Sequence, residues 1–291
     1  MMVLNSLPEE IGSALDAAGA VPDPPPDGAI DVMGTALALG RFQMPDCALD
    51  PYFRHLDELA ADVDVYYRAE PEPFGVEPAV KALSTVLSEV HGYTGDQETY
   101  DDVQNANLIR VIDRRKGLPV ALGLIYMHVA RAQGWRLVGL NFPGHFLVRL
   151  DLEGERAILD PFAGGIVLSP GDVKQRFIDA GGRASVFDRH VYRQVSDRDV
   201  LLRLQNNIKS RYLRDDQPDR ALEILETMSR IAPGRAGLWR EAGLLQADLN
   251  RFGGAIAALE RYLALTADRM DRRADRRKME KLVSELRTRL C

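Results

Sequence analysis

Val120-Ala-Leu-Gly-Leu-Ile-Tyr-Met-His-Val-Ala130 is the most apolar run of the chain, hydrophobic on nearly every face that a helix would present. A helix of that kind belongs at the centre of a fold and not on its surface. Lys116-Gly-Leu-Pro119 separates it from an earlier helical stretch carrying Leu108, Val111 and Ile112 on one side, and puts a proline at its first turn. Gly134 closes it. Three short runs of strand character follow, at residues 136–142, 145–150 and 156–159, with Asp151-Leu-Glu-Gly154 turning the second into the third. A central helix followed by antiparallel strands predicts an α+β fold.

On the N-terminal side the chain reads as helical and acidic. Ser6-Leu-Pro-Glu9 has the form of a capping box before an amphipathic helix, and Asp23-Pro-Pro-Pro-Asp-Gly28 reads as a rigid linker. Residues 1–47 are therefore expected to form a helical arm and linker. Asp50-Pro51 opens a helix to about Tyr67 with Leu56, Leu59, Val63 and Tyr66 at helical spacing, and a second covers residues 76–90. On the C-terminal side, Ala221-Leu-Glu-Ile-Leu225 matches Ala255-Ile-Ala-Ala-Leu259 at an offset of 34 residues, the tetratricopeptide period. That register places Tyr212 and Pro233 in the first repeat, and Trp239 and Gly243 in the second, at the positions the repeat prefers. Gln205 stands in the first repeat's tryptophan position and Ala267 in the second's proline position. Residues 268–290 would form a polar-faced capping helix. The expected organisation is an arm at 1–47, an α+β domain at 48–197 and α-helical repeats at 198–291.

With 291 residues, of which 46% are hydrophobic and 27% charged, the chain can bury about two cores. Cys47 and Cys291 cannot build a disulfide framework, no run approaches the roughly 18 apolar residues of a membrane span, and the N-terminus has no secretory pattern. A cytoplasmic protein is expected, with no membrane partner. The net charge of −6 hides an asymmetry: residues 1–106 carry 20 Asp/Glu against 4 Lys/Arg, and residues 107–291 carry 23 against 33. The basic stretch Asp271-Arg-Arg-Ala-Asp-Arg-Arg-Lys-Met-Glu-Lys281 interleaves acids at helical spacing, so it reads as a solvated face and no nucleic-acid partner is expected. His55, His91, His128, His145 and His190 are scattered without ligand spacing, which predicts neither metal nor cofactor.

Chemistry can be read around the strands. A Cys-His-Asp site needs a thiol at a helix N-terminus facing an imidazole oriented by a carboxylate. His145 follows the Gly144 turn and Asp160 ends the neighbouring strand, so a hairpin can bring them side by side as an acid–base pair. Asn141, Arg114 and Arg115 are candidate binding residues, suited to a carboxylate, an amide or a peptide end. Asn107-Leu-Ile-Arg-Val-Ile-Asp-Arg-Arg-Lys-Gly-Leu-Pro-Val-Ala-Leu122, Gly139-Leu-Asn-Phe-Pro-Gly-His-Phe-Leu-Val-Arg149 and Ile158-Leu-Asp-Pro-Phe-Ala-Gly-Gly165 resemble the SirB-type family of transglutaminase-like proteins with C-terminal tetratricopeptide repeats. The resemblance implies a papain-like core in which a Cys would open the central helix. Aligning that Gly-x-Cys setting with Lys116-Gly-Leu-Pro119 puts Pro119 at the nucleophile position, and Ala121 stands where related sequences carry Ser. Residues 103–167 contain no Ser, Thr or Cys. Tyr126, Lys116, Cys47 and Cys291 are the remaining, poorly placed nucleophile candidates.

These residues predict a transglutaminase-like pseudoenzyme acting as an interaction or regulatory scaffold, with a protein partner in the groove of the repeats. The alternative is a hydrolase or amide-transfer enzyme in which His145 and Asp160 work with a non-standard nucleophile or an activated water.

Overall fold

The computed structural model describes residues 8–188 and 192–290; Ser6, His190 and Cys291 lie outside them. The chain divides into two compact units, Asp31–Leu204 and the pair of segments Met1–Ile30 and Gln205–Cys291. Three helices open it: α1 (Glu9–Ala20), α2 (Val32–Phe42) and α3 (Asp50–Arg68). The expected arm at 1–47 is thus corrected, because it divides at Ile30 between the two units. The reason lies in Val32-Met-Gly-Thr-Ala-Leu-Ala-Leu-Gly40, which is apolar almost all round and buries Ala36 and Leu37 completely. Asp31 caps that helix by accepting from the Gly34 N–H at 2.9 Å.

In the Asp31–Leu204 unit, α3 buries Leu56, Leu59 and Val63, and α4 (Val76–Ser84) runs on as a π-helical segment, Thr85–Val90, where a continuous α-helix was expected. Next come β1 (Thr94–Gly95), α5 (Leu108–Arg114) and β2 (Lys116–Gly117), with β1 and β2 paired in parallel. The apolar helix α6 (Pro119–Ala132) has every residue from Pro119 to Met127 buried, as its composition requires. Four antiparallel strands follow in spatial order: β3 (Arg136–Leu140), β4 (Leu147–Leu152), β5 (Glu155–Asp160) and β6 (Ile166–Leu168). The last was not expected from the sequence, being only three residues long and carrying no alternation. Leu152 pairs with Glu155, so the turn is the dipeptide Glu153-Gly154, both at positive φ (52° and 85°) as a type I′ hairpin demands. Helix α7 (Pro170–Asp179) starts with a Ser169/Asp172 capping box and contributes Val173 and Phe177 to an apolar cluster with Leu140, Phe142, Leu147 and Leu168.

The other unit contains the repeats. Helix α8 (Asp197–Arg214) begins in the Asp31–Leu204 unit and enters this one at Gln205; α9 (Pro218–Ile231), α10 (Ala236–Asp248), α11 (Phe252–Leu265) and α12 (Arg273–Leu290) follow. Ala221 and Ala255, which set the 34-residue register, are both fully buried. Gly243 lies where a Cβ would come within 2.6 Å of the Leu259 side chain, so α10 and α11 need glycine there to pack closely. Leu259, Tyr262, Met279, Val283 and Leu286 tie α12 onto α11. Helix α1 packs on α9, burying Ile11 and Leu15 to 1% and 0% exposure, each worth roughly 2 kcal/mol. Arg230 pairs with Asp16 at 2.5 Å and Arg235 with Asp23 at 2.6 Å. Gly19 touches the α9 backbone: a Cβ there would lie 2.1 Å from the Arg230 carbonyl oxygen. Gly19→Val should therefore lift α1 off α9. Limited proteolysis should then cleave before Ile30 much faster than in the wild type; an unchanged rate would show that the contact does not hold the helix down.

Candidate functional site

Gly144, at φ 68°, turns the chain after Phe142-Pro143, and His145 follows two residues before β4 begins. Asp160 closes β5, and the register Val148↔Leu159 brings the two ends together. His145 Nε2 lies 2.8 Å from Asp160 Oδ1. A carboxylate oxygen accepts, so Nε2 is the donor in this contact, and in the neutral imidazole that leaves the lone pair on Nδ1. Asp160 is fully buried, and Oδ1 also accepts from the backbone N–H of Phe162 at 3.0 Å and of Ala163 at 3.3 Å. Its other oxygen, Oδ2, forms an ion pair with Arg176 Nη1 at 2.9 Å, without the alignment of a hydrogen bond. The Phe162 ring stands edge-on to the imidazole, with centroids 5.8 Å apart.

Arg203 of α8 braces the turn from behind. Its Nη2 donates to the carbonyls of Phe142, at 3.0 Å, and of His145, and its guanidinium lies over the Phe146 ring, 5.4 Å from Cζ to centroid. Burial holds the pKa of this guanidinium below its ordinary value. Neither Arg176 nor Arg203 is legible from the sequence, because each reaches the site from a helix that follows the motif and sits in no pattern of its own.

At the other candidate positions the structure is specific. Pro119 is buried at the first turn of α6 and Ala121 is fully buried. Tyr126 is fully buried and its hydroxyl has no hydrogen-bond partner among the described residues; burial first, then the charge of Asp160, pushes its pKa well above the ordinary phenol range. A phenol held so firmly protonated is a poor nucleophile. Lys116 Nζ pairs with Glu98 at 3.5 Å. Cys47 Sγ is placed to donate to Ala48 O at 3.7 Å and to the Tyr52 hydroxyl at 3.6 Å, and no contact joins it to His145. Cys291 lies outside the described residues.

The expected binding residues separate. Asn141 is exposed, and its backbone N–H donates to Arg193 O at 2.8 Å. Arg114 donates to Asn105 Oδ1 at 2.7 Å and to Asp96 Oδ2 at 2.5 Å. Burial raises the Asp96 pKa, but hydrogen bonds from Thr99 and the Arg114 guanidinium outweigh it and hold the carboxyl well below its usual range. Arg114 thereby ties the end of α5 to the segment 96–105 that precedes that helix. Arg115 turns elsewhere, to His55 and Tyr93. The structure thus joins His145 to Asp160 but gives no contact between this pair and Asn141, Arg114 or Arg115. Among the described residues, no group of three or more His, Cys, Asp or Glu is placed to hold a metal ion.

A family profile described as transglutaminase-like superfamily matches residues 50–206, more than half of the chain. The chain belongs to the transglutaminase-like superfamily. A tetratricopeptide repeat profile matches residues 208–280 of this transglutaminase-like protein. It is 32% identical to a UPF0162 protein of Xylella fastidiosa strain Temecula1, over 82% of this chain and 85% of that protein. It is also 27% identical to a UPF0162 protein of Vibrio cholerae, over 81% of this chain and 86% of the relative. A shorter match, 37% identical, joins 28% of the chain to 13% of F-box only protein 21 of Mus musculus. Among helices of the described residues, none is long and apolar enough to cross a membrane.

Within this transglutaminase-like unit, the arrangement provides an oriented imidazole whose Nδ1 can take a proton. It also provides a buried carboxylate that stabilises the imidazolium formed when it does so. The residue at the start of the central helix provides no atom for that imidazole to deprotonate.

Proposed function

We propose that this protein is a SirB-type pseudoenzyme of the cytoplasm: a non-catalytic transglutaminase-like unit joined to tetratricopeptide repeats that take up a protein partner. Repeats of this class generally mediate protein–protein interaction, which supports a scaffold or regulatory role. The observation that carries the reading is Pro119, buried at the first turn of α6, in a stretch, residues 103–167, without Ser, Thr or Cys. Loss of the nucleophile from a triad leaves a residual rate of only about 10³ to 10⁴ over water.

A second reading has one observation in its favour. The His145–Asp160 pair is intact at 2.8 Å, as expected if it activates water directly. Incubation with glutamine and amine donors, and with thiol-directed activity probes, separates the two. The pseudoenzyme reading expects no turnover in the wild type and no His145-dependent labelling. Turnover lost in both Cys47→Ala and His145→Ala would establish a relocated thiol. Turnover lost in His145→Ala and kept in both Cys47→Ala and Cys291→Ala would establish water activation, and either result overturns the proposal.

A further inference from the structure

Helix α1 is no part of the 34-residue repeat, yet it is built into the repeat unit. Its Asp16 lies 214 positions before Arg230, the α9 residue that holds it, and among the described residues α1 packs chiefly on α9. Ile11, Leu15 and Ala18, spaced at i, i+4 and i+7, are all buried on one face of α1. Gly12 and Gly19 let that face come close: a Cβ on Gly12 would lie 3.1 Å from Arg230 Nη2, and one on Gly19 would also lie 3.4 Å from Pro233 Cδ. Asp16 accepts two bonds from Arg230, from Nε to Oδ1 at 2.8 Å and from Nη2 to Oδ2 at 2.5 Å, and Nη2 also donates to the Gly12 carbonyl at 3.2 Å. Arg235 holds Asp23 in the same forked manner, at 2.6 and 3.1 Å. Two forked pairs fix the direction and register of the helix on its surface.

Alone, α1 is a weak helix. It has 12 residues with glycines at two interior positions, its N-cap Pro8 makes no side-chain capping bond, and its last turn carries no basic residue. It is helical because it is docked. Helix α9 is buried from Ala221 to Ile231 except at Glu223 and Arg230, so removal of α1 leaves it with an apolar side in water. Residues 21–31, with prolines at 22 and 24–26, connect α1 to the other unit as a tether. We propose that the α9 surface beneath α1 is the docking site for an acidic amphipathic helix of a partner protein, and that α1 occupies this site in the resting chain. The partner helix carries the chemistry that α1 displays: large apolar residues at i and i+4, small residues at i+1 and i+8, and a carboxylate at i+5 for Arg230. Arg230 and Arg235 favour an acidic helix over a basic one. A tethered α1 competes at an effective concentration in about the millimolar range, so a partner binds weakly until the arm is released. The proposal rests on the partner-binding half of the reading above and not on the loss of catalysis.

A fluorescein-labelled peptide of residues 8–24 is titrated with the full chain and followed by anisotropy. Gly19→Val and Asp16→Arg each release the arm and leave α9 as it is. Either variant should bind the peptide at least about tenfold more tightly than the wild type, whose own arm competes. Arg230→Asp also repels its own arm, but it should prefer a peptide carrying Asp16→Arg to the unmodified one, because reversing both charges restores the pair. Equal peptide affinity in the wild type and the arm variants, or an unmodified peptide preferred by Arg230→Asp, overturns the proposal. Should one arm variant fail to fold, the other carries the comparison. A wild type that dimerises on concentration, while Asp16→Arg stays monomeric, assigns the surface to α1 of a second copy and likewise overturns it. No peptide binding to any variant refutes the docking site and leaves the pseudoenzyme reading, which the turnover assays test, as it stands.

Discussion

Asp160→Ala is expected to lower the stability of the Asp31–Leu204 unit by about 3–5 kcal/mol, the usual cost of removing one partner from a buried ion pair. The carboxylate is fully buried and its Oδ1 accepts from His145 Nε2 and from the N–H groups of Phe162 and Ala163. Alanine leaves those donors without their acceptor and Arg176 without its counter-charge. Asp160→Asn keeps one acceptor oxygen and should cost about 1–2 kcal/mol. Urea unfolding at unchanged m value measures both. The His145 Nε2–H proton, sheltered by the carboxylate, should be visible by NMR in the wild type and lost in Asp160→Ala. A stability loss below about 1 kcal/mol, with that proton retained, would mean that the pair does not organise the turn.

The same residues show what the sequence made legible. His145 and Asp160 flank one hairpin, so strand register alone brings their ends together, and the Glu153-Gly154 turn fixes that register locally. The apolar run of α6 and the 34-residue repeat are equally local signals. Arg176 and Arg203 reach the pair through tertiary packing, which no local period records. Arg114 and Arg115 are adjacent in sequence. One residue at φ 58° sends them to different partners, Asp96 and His55, and sequence proximity contains no hint of that turn. Within residues 1–47 the polyproline linker marks a break, and the apolar content of residues 32–40 places α2 in the core of the larger unit.

Glu226→Gln should have its large effect on the other unit, growing as pH rises above about 4.3 and reaching its full size above about pH 7. Glu226 lies on α9 with 3% exposure, and burial pushes its carboxyl up to about 7, with Arg251 pulling weakly against the shift and Glu223 adding to it. In the unfolded chain the same group ionises near the ordinary glutamate value of about 4.3. Between those two values the unfolded state binds fewer protons than the folded state, so stability falls as pH rises. The protonated form's contribution is fully present below about pH 4.3 and is lost by about pH 7, at about 1.4 kcal/mol per unit. The accumulated cost above pH 7 is thus roughly 3–4 kcal/mol. Glutamine, neutral at every pH and nearly the same shape, avoids that cost. Denaturation of wild type and Glu226→Gln at pH 4 should give nearly equal midpoints. At pH 8 the variant should be more stable by that margin, a difference that titrations elsewhere in the chain cannot produce because both proteins share them. Parallel stability curves from pH 4 to 8 would show instead that water reaches the Glu226 carboxylate in the folded protein.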